Sequence, residues 1–388
     1  MFRKERVYLD YAAATPIDPR IQKVIKDSQK LYANPSAIHQ EGVLAKKSLE
    51  EARGIIAKLA QVKPKEVIFT ASGTESDNLA IQGVFFGYQG QDLPHIITST
   101  IEHPAILAIC RKLEKTAKAE ISYVGVNEAG LINPDDVRRN LKKNTILVSI
   151  MQVNNEVGTI QPISKIAKII KGYRKENGSQ YPYFHTDASQ GACYLDFRLE
   201  SLGVDLLTLD SIKTYGPRGV GVLIKKDCVK ASPVLLGGGQ EGGLRPGSEN
   251  LPGLRGFQEA LSIACREREF ETKRLEKIRD YGIEEIQKVF PKATLNGSRE
   301  TRLPNNINVC FPGVDAEFLV IKLDNQGVAV SFSSSCRSLT GESSSYVVNE
   351  LGKKDCATSS IRITLGRFST KKDIDRLVSE LKLIFENN

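Results

Sequence analysis

A regular alternation of strand-like and helix-like segments is the feature that most constrains this chain. From about residue 55 to 225, short β-branched runs such as EVIFT (66–70), HIITST (95–100) and TILVSIMQV (145–153) are separated by amphipathic stretches with helical periodicity. Strands that alternate with helices in this way form a mostly parallel sheet, covered on both faces and joined by right-handed crossovers. The pattern predicts an α/β fold built on one large sheet.

A glycine-rich segment, LLGGGQEGGLRPGSENLPG (235–253), ends this alternation, and a long charged helical pattern follows it. Beyond that helix, runs such as INVCF (307–311) and SSIRITLG (359–366) mix with helices in an α+β manner. With 388 residues the chain is long enough for two domains. We predict a large domain over residues 15–260 and a small domain formed by 1–14 and 261–388, with a serine-rich loop at 331–345.

Composition narrows the function classes. No apolar run approaches the ~18 residues of a membrane span, and the amino-terminal segment turns polar before a signal peptide could form, so we predict a cytoplasmic protein without membrane contact. The net charge is +8, but lysine and arginine are not interleaved with aromatic residues, which argues against direct nucleic-acid binding. The seven cysteines are scattered without a CxxC pair, which argues against a disulfide framework and a zinc site; we predict no metal.

Polar residues follow several of the predicted strands, and ligands of open α/β sheets bind beyond the carboxyl ends of the strands. The small residues Gly73 and Thr74 come just after EVIFT and begin a helix, a setting that suits a phosphate but also ordinary helix capping. His103, one of only four histidines, follows HIITST. It can stack on a heteroaromatic ring or carry protons, or it can simply pack beside Pro104.

The next strand exits carry an amide, a carboxylate and an amine. Asn155 follows the third exit and is either a ligand contact or a turn former. Asp187, with Gln190 three residues later, either caps a helix or faces the protonated ring nitrogen of a pyridine cofactor. Lys213 precedes a turn rich in glycine and proline, and a partly desolvated lysine there can form a Schiff base. These features at successive exits favour the covalent interpretation of Lys213 over a surface charge.

Ten segments carry a resemblance to a known family. They are YLDYAAATP (8–16), ANPSAIH (33–39), FTASGTESDNLAIQG (69–83), EHPAIL (102–107), VNNEVG (153–158), HTDASQ (185–190), KTYGPRGVGVL (213–223), GGGQEGGLRPGSEN (237–250), SSSCRS (333–338) and SSIRITLGRFS (359–369). In this order they resemble the cysteine desulfurases of the NifS/IscS-like group. That group belongs to the fold-type I pyridoxal-phosphate (PLP) enzymes, which implies a mostly parallel seven-stranded sheet in the large domain.

The resemblance implies a role for each matching residue. Lys213 would hold PLP covalently and act on substrate protons, Asp187 would face the pyridine nitrogen, and His103 would stack on the ring as a third catalytic group together with Cys336. Further implied cofactor contacts are Gly73, Thr74, Asn155, Gln190, Ser211 and, from the neighbouring subunit, Ser248. Asn34 and Arg362 would bind the substrate carboxylate, for which a planar guanidinium is suited.

The implied activity is that of a homodimeric L-cysteine desulfurase. Cys336 would take sulfur from L-cysteine, leaving L-alanine, and its persulfide would pass to a sulfur-acceptor or iron–sulfur scaffold protein for cluster assembly or tRNA thiolation. The alternatives are selenocysteine lyase, another PLP enzyme on the same scaffold such as an aminotransferase, and a catalytically weakened dimeric partner protein. The last is favoured by one departure from the family pattern.

That departure lies directly before the lysine. The family usually has serine and histidine in the Ser-x-His that precedes it, both contacting the phosphate, whereas this chain has Asp210, Ser211 and Ile212. An ionised Asp210 would repel a phosphate dianion, and Ile212 has no side-chain donor. Three outcomes follow: Asp210 points away and Ser211 substitutes, phosphate affinity falls, or the protein is no longer an active enzyme.

Overall fold

The computed structural model describes residues 6–332 and 344–386. Its strands are β1 (Val7–Tyr8), β2 (Val67–Thr70), β3 (His95–Ser99), β4 (Glu120–Val124), β5 (Thr145–Ser149), β6 (Tyr183–Asp187), β7 (Leu206–Asp210), β8 (Gly221–Lys225), β9 (Thr294–Leu295), β10 (Asn306–Cys310), β11 (Val328–Ala329) and β12 (Ser360–Thr364). Its helices are α1 (Pro19–Ser28), α2 (Gln40–Ala60), α3 (Gly73–Gly87), α4 (Pro104–Lys115), α5 (Pro134–Asn140), α6 (Ile163–Asn177), α7 (Leu199–Leu202), α8 (Leu251–Val289), α9 (Ala316–Asn325), α10 (Tyr346–Glu350) and α11 (Lys371–Glu386).

Strands β2 to β8 form the seven-stranded sheet, in the order β2-β8-β7-β6-β5-β3-β4. Neighbours pair in parallel except at β8, which is antiparallel to both β2 and β7. Every residue of β2, β3 and β5 is buried, as expected for β-branched and aliphatic runs enclosed between layers of helices. The predicted α/β fold with a mostly parallel seven-stranded sheet is confirmed.

The amino-terminal segment packs with the carboxyl-terminal elements. Strand β1 pairs in parallel with β11, and Asp10 forms a bridge with Thr364 of β12. Strands β9, β10 and β12 form a separate three-stranded sheet. The charged helix α8, 39 residues long, links the two regions of the chain. The predicted domain boundaries at residues 14–15 and 260–261 are compatible with these pairings and stay a prediction.

The cysteines differ in part from the expectation. Cys310 at the end of β10 and Cys356, in a 3₁₀ turn after α10, form a disulfide across 46 residues of sequence. The expectation of a chain without disulfides is therefore wrong for this pair, because the tertiary fold brings two distant cysteines together and their spacing carries no signal. Cys110 and Cys193 are free and buried, as expected for small apolar side chains.

Within residues 6–332 and 344–386, no helix combines enough length with enough apolar character to cross a bilayer.

Candidate active site

A cavity opens at the carboxyl edge of the large sheet. The strand order changes direction at β3, which has β4 on one side and β5 on the other, and open α/β sheets bind ligands at such a point. The lining residues come from loops after five strands, from the amino-terminal segment and from β12; they are Ala12, Ala13, Gly73, Thr74, Asp77, His103, Met151, Val153, Asn155, Asp187, Ser189, Gln190, Asp210, Lys213 and Arg362.

Lys213 lies in a 3₁₀ turn (Ser211–Lys213) that directly follows β7. Its Nζ donates to the carbonyl oxygens of Ala12 at 2.8 Å and Ala13 at 2.7 Å. The same amino-terminal segment is bound to the turn a second time, because Thr15 donates from its backbone N–H and its hydroxyl to the Ile212 carbonyl. The amine is therefore held in a defined place inside the cavity, and it is not a solvated surface charge.

Two carboxyl groups, on Asp187 and Asp77, meet beside this amine. Asp187 ends β6, and its Oδ1 accepts from the Ser189 backbone N–H at 2.9 Å. Asp77 is 1% exposed. Burial, with the charge of Asp187 as the next cause, raises the pKa of Asp77 well above its usual value. Burial therefore favours the neutral form of the Asp77 carboxyl group.

His185 supports this pair from within the sheet. Its ring nitrogens lie 2.9 Å from the Ser149 hydroxyl and 3.1 Å from that of Thr208, and its Nε2 is 3.8 Å from Asp77 Oδ1. Burial lowers the pKa of His185 to about 4. A neutral imidazole supplies no positive charge to the carboxyl groups beside it.

His103 is the N-cap residue of α4 and lines the same cavity. Its Nδ1 accepts from the Ala105 backbone N–H at 3.2 Å, which caps the helix and orients the ring. Burial lowers the pKa of His103, partly offset by Asp187. The ring is therefore neutral near pH 7 and suited to stack on another aromatic ring.

Glu102, the residue before His103, connects two strand exits. Both of its carboxylate oxygens lie 3.0 Å from the Met151 backbone N–H, and the Ser99 hydroxyl donates to it at 2.5 Å. Burial raises the pKa of Glu102 to about 8. This carboxyl fixes the loop after β3 against the loop after β5, and so positions His103.

Arg362 approaches from β12 and is 1% exposed. Its guanidinium donates to Asp10 Oδ1 at 2.8 Å and to the Asn155 carbonyl oxygen at 3.0 Å. Among the described residues, neither Arg362 Nε nor the buried Asn155 Oδ1 has a hydrogen-bond partner. Arg362 and Asn155 both line the cavity, and a guanidinium in this position suits the carboxylate of an amino acid substrate.

Three predicted residues lie elsewhere, and one lies outside the described residues. Ser211 is buried beside Gly216, and its hydroxyl has no hydrogen-bond partner among the described residues. It does not line the cavity, because the 3₁₀ turn directs it away, and its role as a cofactor contact stays a prediction. Asn34 and Ser248 are exposed and do not line the cavity either. Cys336 falls in 333–343, outside the described residues.

The cavity also contains residues that were not predicted. Asp77 is four residues after Gly73 on α3, and this helical spacing, which places both on one face, was the available signal. The Ala12 and Ala13 carbonyls had none, since backbone contacts over about 200 residues leave no mark in the sequence. The Lys213 amine, the Asp187 carboxyl group, the His103 ring and the start of α3 line one cavity, and they fit the aldehyde, ring nitrogen, ring face and phosphate of PLP.

The aminotransferase class-V family model matches residues 7–377. A cysteine desulfurase IscS of Dictyoglomus turgidum is 43% identical over 99% of this chain and 95% of its own length. The cysteine desulfurase IscS 1 of Archaeoglobus fulgidus is 36% identical over 98% of this chain and 97% of its own. A solved NifS-like protein is similar with a TM-score of 0.91 and 32% identity, covering 99% of this chain and 100% of the other.

These similarities, together with the lysine, aspartate and histidine at the sheet edge, define the class of protein. The chain belongs to the aminotransferase class-V family of PLP-dependent enzymes. Within that family, its similarity along nearly the whole length places it in the group of the IscS and NifS-like cysteine desulfurases.

Proposed function

We propose that this protein is an L-cysteine desulfurase that uses PLP at the cavity of Lys213. The observation that carries the proposal is the meeting of three groups in one cavity: the Lys213 amine, the Asp187 carboxylate and the Arg362 guanidinium. PLP supplies an electron sink for the charge that develops at the substrate Cα. Everything else in the reaction depends on side chains of this chain.

Lys213 is the proposed anchor of the cofactor and the base for the substrate Cα proton. Its position between the carbonyls of Ala12 and Ala13 keeps the amine at the centre of the cavity. Asp187 is proposed to hold the proton on the ring nitrogen, a role supported by the neutral state of Asp77 beside it. His103 is proposed to cover the ring face, and Gly73 and Thr74 to receive the phosphate at the start of α3.

Arg362 is proposed to bind the substrate carboxylate, because it is already oriented by Asp10 and retains donor capacity. Asn155 and Gln190 are proposed as polar contacts near the cofactor; the Gln190 amide donates to the Ala12 carbonyl at 3.0 Å. Cys336, as a thiolate, is the proposed nucleophile towards substrate sulfur. The Cys336 sulfur forms an S–S bond with the substrate sulfur as the substrate C–S bond breaks, which leaves a persulfide on Cys336. The substrate carbon keeps the electron pair of the broken bond and takes up a proton, and the product is L-alanine.

A homodimer is part of the proposal. Three exposed apolar side chains flank the segments that carry Asn34 and Ser248: Tyr32 is 84%, Ile38 99% and Leu236 88% exposed. The same two segments line a groove of about 800 Å³. Large apolar side chains exposed beside a groove are typical of an interaction surface. A second copy seated there would bring Ser248 to the neighbouring phosphate and complete the substrate site with Asn34.

The persulfide of Cys336 is proposed to pass to a sulfur-acceptor or iron–sulfur scaffold protein, for cluster assembly or tRNA thiolation. The names of the relatives, cysteine desulfurases of the IscS type, support this direction. The cytoplasm remains the predicted location, on the sequence argument given above.

The test is the reaction itself, measured on the purified protein with PLP. The wild type is expected to be yellow and to release equal amounts of alanine and sulfide from L-cysteine with a thiol reductant. Cys336→Ala should keep the colour and lose sulfide release, whereas Cys228→Ala, at an exposed free cysteine, should keep both. Lys213→Ala should lose the covalent adduct that borohydride traps. A coloured protein that releases no sulfide from L-cysteine would point to another PLP enzyme on the same scaffold. Release of selenide from selenocysteine without release of sulfide from L-cysteine would point to selenocysteine lyase.

A further inference from the structure

Asp210 ends β7 and lies at the first residue of α3. A Cβ built on Gly73 would stand 3.0 Å from Asp210 Cβ and from its Oδ2. The Gly73 backbone N–H faces the carboxyl group, and the Ile212 N–H donates to Asp210 Oδ1 at 3.2 Å. The side chain also lines the cavity beside Thr74 and Lys213. Asp210 therefore points towards the start of the helix. This direction excludes the first of the three outcomes given above, in which the carboxyl group points away from the phosphate.

The start of α3 is where an anion is held most favourably. The helix is 15 residues long, and the N–H groups of its first turn together with its dipole attract negative charge. Ser72 caps the N–H of Glu75, and Gly73 and Thr74 of the same first turn line the cavity. In this structure the carboxyl group of Asp210 takes the place of that anion.

The carboxyl group has little room to leave. Asp210 pairs with Gly221 of β8, and a Cβ on Gly221 would lie 2.4 Å from the Ser72 backbone, so strand end and helix start are closely packed. Three titratable groups face it: Lys213 from its own turn, Asp187 from β6 and Asp77 from α3. Burial raises the pKa of Asp210, while Lys213 and the N–H groups of Ile212 and Gly73 lower it and Asp187 raises it.

We propose that Asp210 is an internal competitor for the cofactor phosphate, and that phosphate binding requires this carboxyl group to take up a proton. The proposal rests on the proposed function, since it places the PLP phosphate at the start of α3. It makes Asp210 a determinant of cofactor affinity: an uncharged side chain at this position binds PLP more tightly. Asp210 also faces the Lys213 amine, so the effect on the phosphate is separated from an effect on the amine by comparing PLP with its analogue without phosphate.

Pyridoxal, which has the ring and aldehyde but no phosphate, separates the two parts of the site. The dissociation constants of PLP and of pyridoxal are measured by absorbance titration of the cofactor-free protein, for the wild type, Asp210→Asn and Asp210→Ser. Both variants are expected to bind PLP about tenfold more tightly or better, with less than about a twofold change for pyridoxal. Asp227→Asn, a surface carboxylate paired with Lys65, is the matched control and should change neither constant.

The pH dependence gives a second readout that does not depend on activity. As pH rises, Asp210 loses its proton, so the preference of the wild type for PLP over pyridoxal should fall. Titration of the cofactor phosphate affects the wild type and Asp210→Asn alike. The part of the fall that comes from Asp210 should therefore be absent in Asp210→Asn. Equal changes for PLP and pyridoxal, or weaker PLP binding by both variants, would overturn the proposal. If no protein forms a coloured adduct with either aldehyde, the proposed function fails instead.

Discussion

Glu241→Gln is expected to destabilise the protein strongly. The Glu241 side chain is 1% exposed and that of Arg53 10%. Its two oxygens accept from both terminal nitrogens of Arg53 at 2.7 Å, and one also accepts from the Phe69 backbone N–H at 2.8 Å. A glutamine at position 241 keeps one acceptor oxygen and turns its N–H₂ group towards one of these N–H donors. The buried Arg53 guanidinium is then left without its main carboxylate partner. Removing one member of a buried pair costs about 3–5 kcal/mol.

This cost can be converted to a melting shift. For 388 residues, an unfolding entropy of about 2.1 cal/mol/K per residue gives about 0.8 kcal/mol/K, so Tm should fall by about 4–6 °C if the chain unfolds as one unit. Urea denaturation of the cofactor-free protein, followed by circular dichroism, measures the free energy directly. Asp227→Asn breaks an exposed pair and should cost less than about 1 kcal/mol. A loss for Glu241→Gln no larger than that of the control would refute the reasoning.

Three further outcomes are expected. The pKa of Glu102 is about 8 in the folded protein and 4.5 for a free side chain, so between these pH values the native state keeps a proton that the unfolded chain releases. The free energy of unfolding should therefore fall by up to about 1.4 kcal/mol per pH unit as pH rises between these values. Glu102→Gln should flatten this pH profile in urea titrations. Asp77→Asn should leave the PLP dissociation constant within about twofold, because burial already favours the neutral form of that carboxyl group. Asp187→Asn should raise the PLP dissociation constant about tenfold or more. A large effect of Asp77→Asn would contradict a neutral Asp77. Leu236→Glu should convert a dimer to a monomer in light scattering. Phe270→Glu is the control, because Phe270 on α8 is 70% exposed but lies outside the proposed interface, and this variant should remain a dimer. Equal behaviour of the two variants would contradict the proposed interface.

Much of the candidate site could be predicted from the order of residues. Gly73, His103, Asp187 and Lys213 lie at or just after the ends of four different strands, and parallel strands bring their carboxyl ends to one edge of the sheet. Their meeting in one cavity therefore required only that the alternation of strands and helices be recognised. The polarity of the residues after the strands then indicated the chemistry.

The rest depended on contacts between distant segments. Arg362 meets Asp10 across 352 residues, and Lys213 meets Ala12 across 201. Cys310 and Cys356 are joined because β10 ends beside the turn that follows α10. Such pairs arise from how the small sheet and the amino-terminal segment pack on the large one, and no local periodicity records that packing.

The alternation of apolar runs and amphipathic stretches by itself determined the sheet, its layers and the edge at which ligands bind, because backbone hydrogen bonding and the burial of apolar surface leave few other arrangements. Only the tertiary structure decided the direction of Asp210, the position of Ser211 away from the cavity and the raised pKa of Asp77. The reason is physical: whether a carboxyl group is ionised depends on its desolvation and on the charges around it, and these come from segments that meet only in the folded chain.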